Sequence, residues 1–166
     1  MNKFTLLKAL SRVVAANEPE EPVFKLPKLS LDTGDTGKVG LINVNNRTMT
    51  IEEFEALKEL KVKGGLDLFG TKITKLPENL EVGGGLYLFG TKITKLPDNL
   101  KVGGDLDLRG TKITKLPENL KVGGDLYLKG IKITKLPDNL KAGGYIYVDD
   151  PKKIECSETL RKKLIS

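Results

Sequence analysis

From about Lys61 to Asp150 the apolar residues return every 20 positions, in the same order each time. Residues 101–120, KVGGDLDLRGTKITKLPENL, typify the unit. Within it the pairs Leu66/Leu68, Leu86/Leu88, Leu106/Leu108, Leu126/Leu128 and Ile146/Val148 alternate with other residues. A period of two predicts a strand with those side chains on one face. Ile73, Ile93, Ile113 and Ile133 follow, then Leu76, Leu96, Leu116 and Leu136. Leu60, Leu80, Leu100, Leu120 and Leu140, with Val62, Val82, Val102 and Val122, complete an apolar ring. A fixed period of this size marks a solenoid, in which each turn contacts only its neighbours. Each buried aliphatic is worth about 1.5–3 kcal/mol, so a turn offsets the cost of ordering itself only when turns stack.

The residues between the apolar columns predict the corners. Glycine at 70, 90, 110 and 130 falls where the strand ends, and pairs such as Gly103-Gly104 fall where it begins. Both are expected to serve tight corners that demand a positive φ. Proline at 77, 97, 117 and 137 keeps the return segment extended and denies it a helix.

Outside the repeats the pattern changes. Leu6, Leu7, Leu10, Val13 and Val14 stand at helical spacing, so residues 3–16 read as a short amphipathic helix. Residues 17–38 are rich in Pro, Gly and charge, and read as an extended arm. Residues 39–60 read as an N-terminal cap: a strand from Val39 to Val44, a turn at Asn45-Asn46, and a helix opened by the capping box Thr50 to Glu53. That helix is expected to carry Phe54, Leu57 and Leu60. Residues 151–166 read as a C-terminal capping helix with Ser157 at its N-cap. The expected fold class is a mostly β, α/β solenoid over residues 61–150, with short helical caps at both ends.

Composition narrows the chemistry. Hydrophobic content of 39% and charged content of 30% suit a thin core with much surface. No histidine is present, which removes the commonest general base and metal ligand. Cys156 is the single cysteine, so no intramolecular disulfide can form. Asp105-Leu-Asp107 looks like a metal motif but is generated by the repeat's own alternation. The expectation is a non-enzyme without metal or cofactor. Lys8 and Arg12 interrupt the N-terminal apolar run, which is too short to span a bilayer. No signal peptide is read there, so the expected location is cytoplasmic or within a viral particle. On that reading Asn46-Arg47-Thr48 is a chance glycosylation sequon.

The recurring LxLxGTxIxxLPxNL resembles the leucine-rich repeat LxLxxNxL, in the short form of about 20 residues found in bacterial and phage-encoded proteins. The resemblance covers residues 61–150. Two positions depart from that family: Thr71, Thr91 and Thr111 replace its asparagine, and Gly103 stands where it has a leucine. The threonine hydroxyls are expected to form a ladder between turns, which Ile131 breaks. A right-handed β-helix is the competing architecture.

The resemblance implies a parallel sheet whose residues flanking the two leucines point outward. Those positions hold Gly65, Asp67 and Phe69; Gly85, Tyr87 and Phe89; Asp105, Asp107 and Arg109; Asp125, Tyr127 and Lys129; Tyr145, Tyr147 and Asp149. All four tyrosines fall on this face with two of the five phenylalanines. Adjacent strands lie about 4.8 Å apart, so Phe69 and Phe89 are expected to touch. Exposed aromatics flanked by charge are the usual make-up of a protein-binding hot spot. Cross-strand stacking of rings for its own sake is the bland account of the same residues. The candidate anchors are Phe69, Phe89, Tyr87, Tyr127, Tyr145 and Tyr147, with Arg109, Lys129, Asp105 and Asp107 selecting the partner by charge.

A second candidate surface is the pair of columns Lys72, Lys92, Lys112, Lys132 and Lys75, Lys95, Lys115, Lys135. They are read first as a solvated edge that discourages aggregation, with Glu78, Asp98, Glu118 and Asp138 nearby to neutralise them. The favoured function is a protein-protein interaction scaffold. One alternative is a structural subunit of a larger assembly, such as a virion, anchored by the N-terminal arm. Another is binding of an anionic surface or nucleic acid through the lysine columns, a partner less favoured than protein.

Overall fold

The computed structural model describes residues 41–45 and 47–166. The helix expected at residues 3–16 and the arm up to residue 38 lie outside the described residues. From residue 59 onward the chain is a mostly β solenoid with 20-residue turns. Each leucine pair begins as a short strand: β4 (Leu66–Asp67), β6 (Leu86–Tyr87), β8 (Leu106–Asp107), β10 (Leu126–Tyr127) and β12 (Ile146–Tyr147). These strands stack in parallel and in register, so that Leu66, Leu86, Leu106, Leu126 and Ile146 form one column. A second parallel sheet stands across the Gly-Gly corner, built from β3 (Glu59–Val62), β5 (Asn79–Val82), β7 (Lys101–Val102), β9 (Lys121–Val122) and β11 (Lys141–Ala142). The leucine pattern alone did not predict this second sheet. The inward columns of both sheets, with Ile73, Ile93, Ile113 and Ile133, form one continuous buried core.

The two glycine positions of each corner do different work. Gly70, Gly90, Gly110 and Gly130 have φ between 64° and 75°, as expected. The Gly-Gly pairs do not adopt positive φ, which corrects the expectation for them. They are there because successive turns touch: a Cβ on Gly103 would lie 2.3 Å from the carbonyl oxygen of Gly83. The threonine ladder is also corrected. The hydroxyls of Thr71, Thr91 and Thr111 donate to Leu68, Leu88 and Leu108 O within their own turns, at 2.8, 2.8 and 2.7 Å. The hydroxyl thus closes its own turn's corner rather than linking it to the next.

At the N-terminal end β1 (Leu41–Val44) and β2 (Arg47–Thr50) pair as an antiparallel hairpin. The helix Ile51–Ala56 follows, with both bonds of the Thr50–Glu53 capping box formed at 2.9 and 3.2 Å. Leu57 is the helix C-cap and Leu60 lies in β3, so neither belongs to the helix as expected. The C-terminal helix is likewise shorter, Glu158–Arg161, and Ser157 makes no side-chain cap bond. The remaining residues form β13 (Leu164–Ile165), a sixth parallel strand beside β12. The open edge of β12 is the physical reason: Ile146 and Val148 N–H donate to Lys163 and Ile165 O at 2.8 and 2.9 Å. Side chains close other ladder ends. Asn45 accepts from Lys63 N–H and donates to Lys61 O, and Lys163 Nζ donates to Ala142 O.

Candidate functional site

The outward face of the first sheet carries a continuous stack of planar side chains. Phe69 and Phe89 lie parallel with ring centroids 5.3 Å apart. Tyr127 and Tyr147 stack in the same way at 4.8 Å. Between these pairs sits the Arg109 guanidinium, 5.7 Å from the Phe89 ring and 5.3 Å from the Tyr127 ring. The in-register parallel sheet dictates this arrangement, since identical positions of successive turns become cross-strand neighbours.

Arg109 is fixed by a fork of two bonds to Asp107: Nε to Oδ1 at 2.9 Å and Nη2 to Oδ2 at 2.6 Å. Its guanidinium is held above its already high ordinary range, chiefly by the hydrogen bond to Asp107 and further by that residue's charge. Asp107, expected among the outward charged positions, is 5% exposed and paired with Arg109. The Arg109 side chain lies against it through those two bonds.

The other candidates divide by exposure. Phe69 is 63% exposed, and Phe89, Tyr87 and Tyr145 are also exposed. Arg109 and Lys129 are exposed, while Tyr127, Tyr147 and Asp105 are half-buried. The tip of the Tyr87 ring lies over Gly85, where a Cβ would come within 2.7 Å of its hydroxyl. Asp67, Phe69, Tyr87, Phe89, Asp107 and Arg109 line a shallow, open depression of about 310 Å3.

Acidic side chains add hydrogen bonds to this face that the aromatic pattern does not announce. Asp105 Oδ1 accepts from Asp125 N–H at 2.8 Å, and Asp125 Oδ1 accepts from Tyr145 N–H at 2.7 Å. Asp149 accepts from Gly130 N–H, and Asp67 from Phe69 N–H. The signal was available, because Asp67, Asp125 and Asp149 occupy the same outward positions as the rings. Burial, followed by the charges of Asp125 and Asp105, pushes the Tyr127 phenol above its ordinary range.

All eight lysines of the second candidate surface are exposed. Of these eight, only Lys135 has an ion pair among the described residues, with Glu155 at 2.6 Å. Glu78, Asp98, Glu118 and Asp138 form no ion pair with the columns within 4.0 Å. Among the described residues no group of side chains is arranged to hold a metal ion, and no helix is long and apolar enough to cross a membrane.

Comparison with protein-family models, with curated proteins and with solved structures finds no match to this chain.

Proposed function

We propose that the protein is a non-enzymatic scaffold of the leucine-rich-repeat kind, which holds a partner protein against the outward face of its first sheet. One observation carries this reading: the run of stacked planar groups from Phe69 to Tyr147 stands on a rigid sheet with its phenylalanines exposed. Stacking alone would account for rings that cover one another. It does not account for Phe69, Tyr87, Phe89 and Tyr145 remaining exposed together on one face. Such residues are the usual anchors of protein interfaces, and the solenoid holds them without an ordering cost at the moment of binding.

The test is capture of the partner from the native source by crosslinking. Replacing Phe69, Tyr87 and Phe89 with alanine should abolish capture while the circular dichroism spectrum is kept. Capture unchanged in that variant would overturn the reading.

A second reading is supported by the lysine columns, of which seven members lack an ion pair among the described residues. Binding of an anionic surface there would weaken steeply with salt and would be indifferent to the alanine substitutions.

A further inference from the structure

The candidate face has a charge opposite to that of the rest of the chain. Its outward positions hold five carboxylates, Asp67, Asp105, Asp107, Asp125 and Asp149, against two cations, Arg109 and Lys129, which leaves −3. The whole chain carries +6, so all other residues together carry +9. Asp67, Asp105, Asp125 and Asp149 accept hydrogen bonds from backbone N–H groups, which position them without pairing them with a cation. Burial first, and then the charges of Asp125 and Asp105, hold the Tyr127 phenol above its ordinary range.

The depression beside Phe69 concentrates this property. Of its three charged lining groups, Asp107 and Arg109 cancel one another through their two bonds. Asp67 remains as an exposed carboxylate with no ion pair among the described residues, set among Phe69, Tyr87 and Phe89. A carboxylate beside exposed ring surface is the chemistry that receives a guanidinium or an ammonium.

We propose that the sheet face takes an extended basic segment of a partner protein, one of whose arginine or lysine side chains enters the depression beside Asp67. This rests on the docking reading above and deepens it. A second copy of the chain is the weaker occupant. A two-fold contact would place this acidic face against itself, and a contact between it and the lysine columns of another copy would be head-to-tail, giving a ring or an open filament rather than a simple pair.

The probe is a short peptide of alternating glycine and arginine, compared with one carrying citrulline, which has the same shape without the charge. Titration is followed by NMR of the aromatic side chains at low salt. Saturable shifts are expected at Phe69, Tyr87 and Phe89, with the citrulline peptide bound about tenfold more weakly. Asp67→Asn keeps an acceptor for Phe69 N–H, so the fold is retained, and should weaken the arginine peptide by about tenfold. Equal binding of both peptides, or none by either, overturns the cationic partner. So does an unchanged affinity in Asp67→Asn, or self-association of the native chain that Asp67→Asn abolishes. Failure of the docking reading itself is seen separately, as partner capture that survives alanine at Phe69, Tyr87 and Phe89.

Discussion

Arg109 and Asp107 stand two residues apart on one strand face, joined by two parallel hydrogen bonds of 2.9 and 2.6 Å. The pair is asymmetric: the Asp107 side chain is 7% exposed and that of Arg109 is 47% exposed. Removing the arginine side chain leaves the Asp107 carboxylate with a single bond, from the backbone N–H of residue 109 at 3.0 Å, whereas removing the aspartate releases a cation that can turn to water. Arg109→Ala is expected to cost about 1–2 kcal/mol, a value discounted for solvent screening of the exposed partner. Asp107→Ala should cost less, and the double substitution less than the two losses added together. Urea unfolding of the four proteins checks this. Additive losses would show that the fork contributes nothing of its own.

Glycine at the Gly-Gly corner is required by distance. A Cβ on Gly103 would meet the Gly83 carbonyl oxygen at 2.3 Å, while nothing lies within 4 Å of one on Gly64. Gly64 lies in the first turn, in the column of Gly84 and Gly104, and among the described residues no earlier corner lies beneath it. Gly103→Ala is expected to destabilise by about 1–3 kcal/mol through forced separation of turns, and Gly64→Ala to be close to neutral. Thermal unfolding distinguishes them, and equal losses would return the explanation to backbone conformation.

The repeat made the core columns, the outward face and the Phe69–Phe89 contact legible, because a period of two within a period of 20 fixes which side chains become neighbours. What was hidden depends on distances between turns. The closeness of Gly103 to Gly83 and the intra-turn bond of Thr91 look the same in sequence as a positive-φ corner and an inter-turn ladder. The C-terminus misled for a different reason. Residues 157–165 carry helix signals, yet the unpaired edge of β12 recruits Leu164 and Ile165 as a strand, a tertiary demand that overrides a weak local preference. The closure of Asp107 under Arg109 was invisible because alternation shows only which side of a strand a residue takes.

That recruited strand gives a prediction of its own. β13 closes the ladder beyond β12, and Lys163 Nζ closes β11 by donating to Ala142 O. Ending the chain after Lys162 opens both edges together. The shortened protein is expected to unfold at a lower temperature and to aggregate on warming, since unpaired parallel edges are templates for other chains. Light scattering during a thermal scan checks this, and an unchanged scan would show that β13 is dispensable to the stack.

Tyr127 links the face to pH. Its phenol is held above the reference value of 10.0, first by burial, then by the charges of Asp125 and Asp105. A raised folded-state value means that the folded protein keeps this proton longer than the unfolded chain does. The associated stability is fully present below the unfolded value, near pH 10, and is lost as pH rises through the folded value. In that window stability should fall by up to about 1.4 kcal/mol per pH unit from this residue. Tyr127→Phe should remove that part of the alkaline loss, and Asp125→Asn should lower the phenol's titration midpoint. Phenolate absorbance gives the midpoint, and urea unfolding at several alkaline pH values gives the stability. If Tyr127→Phe loses stability across the same window as steeply as the native chain, ring ionisation is not what weakens the folded state there.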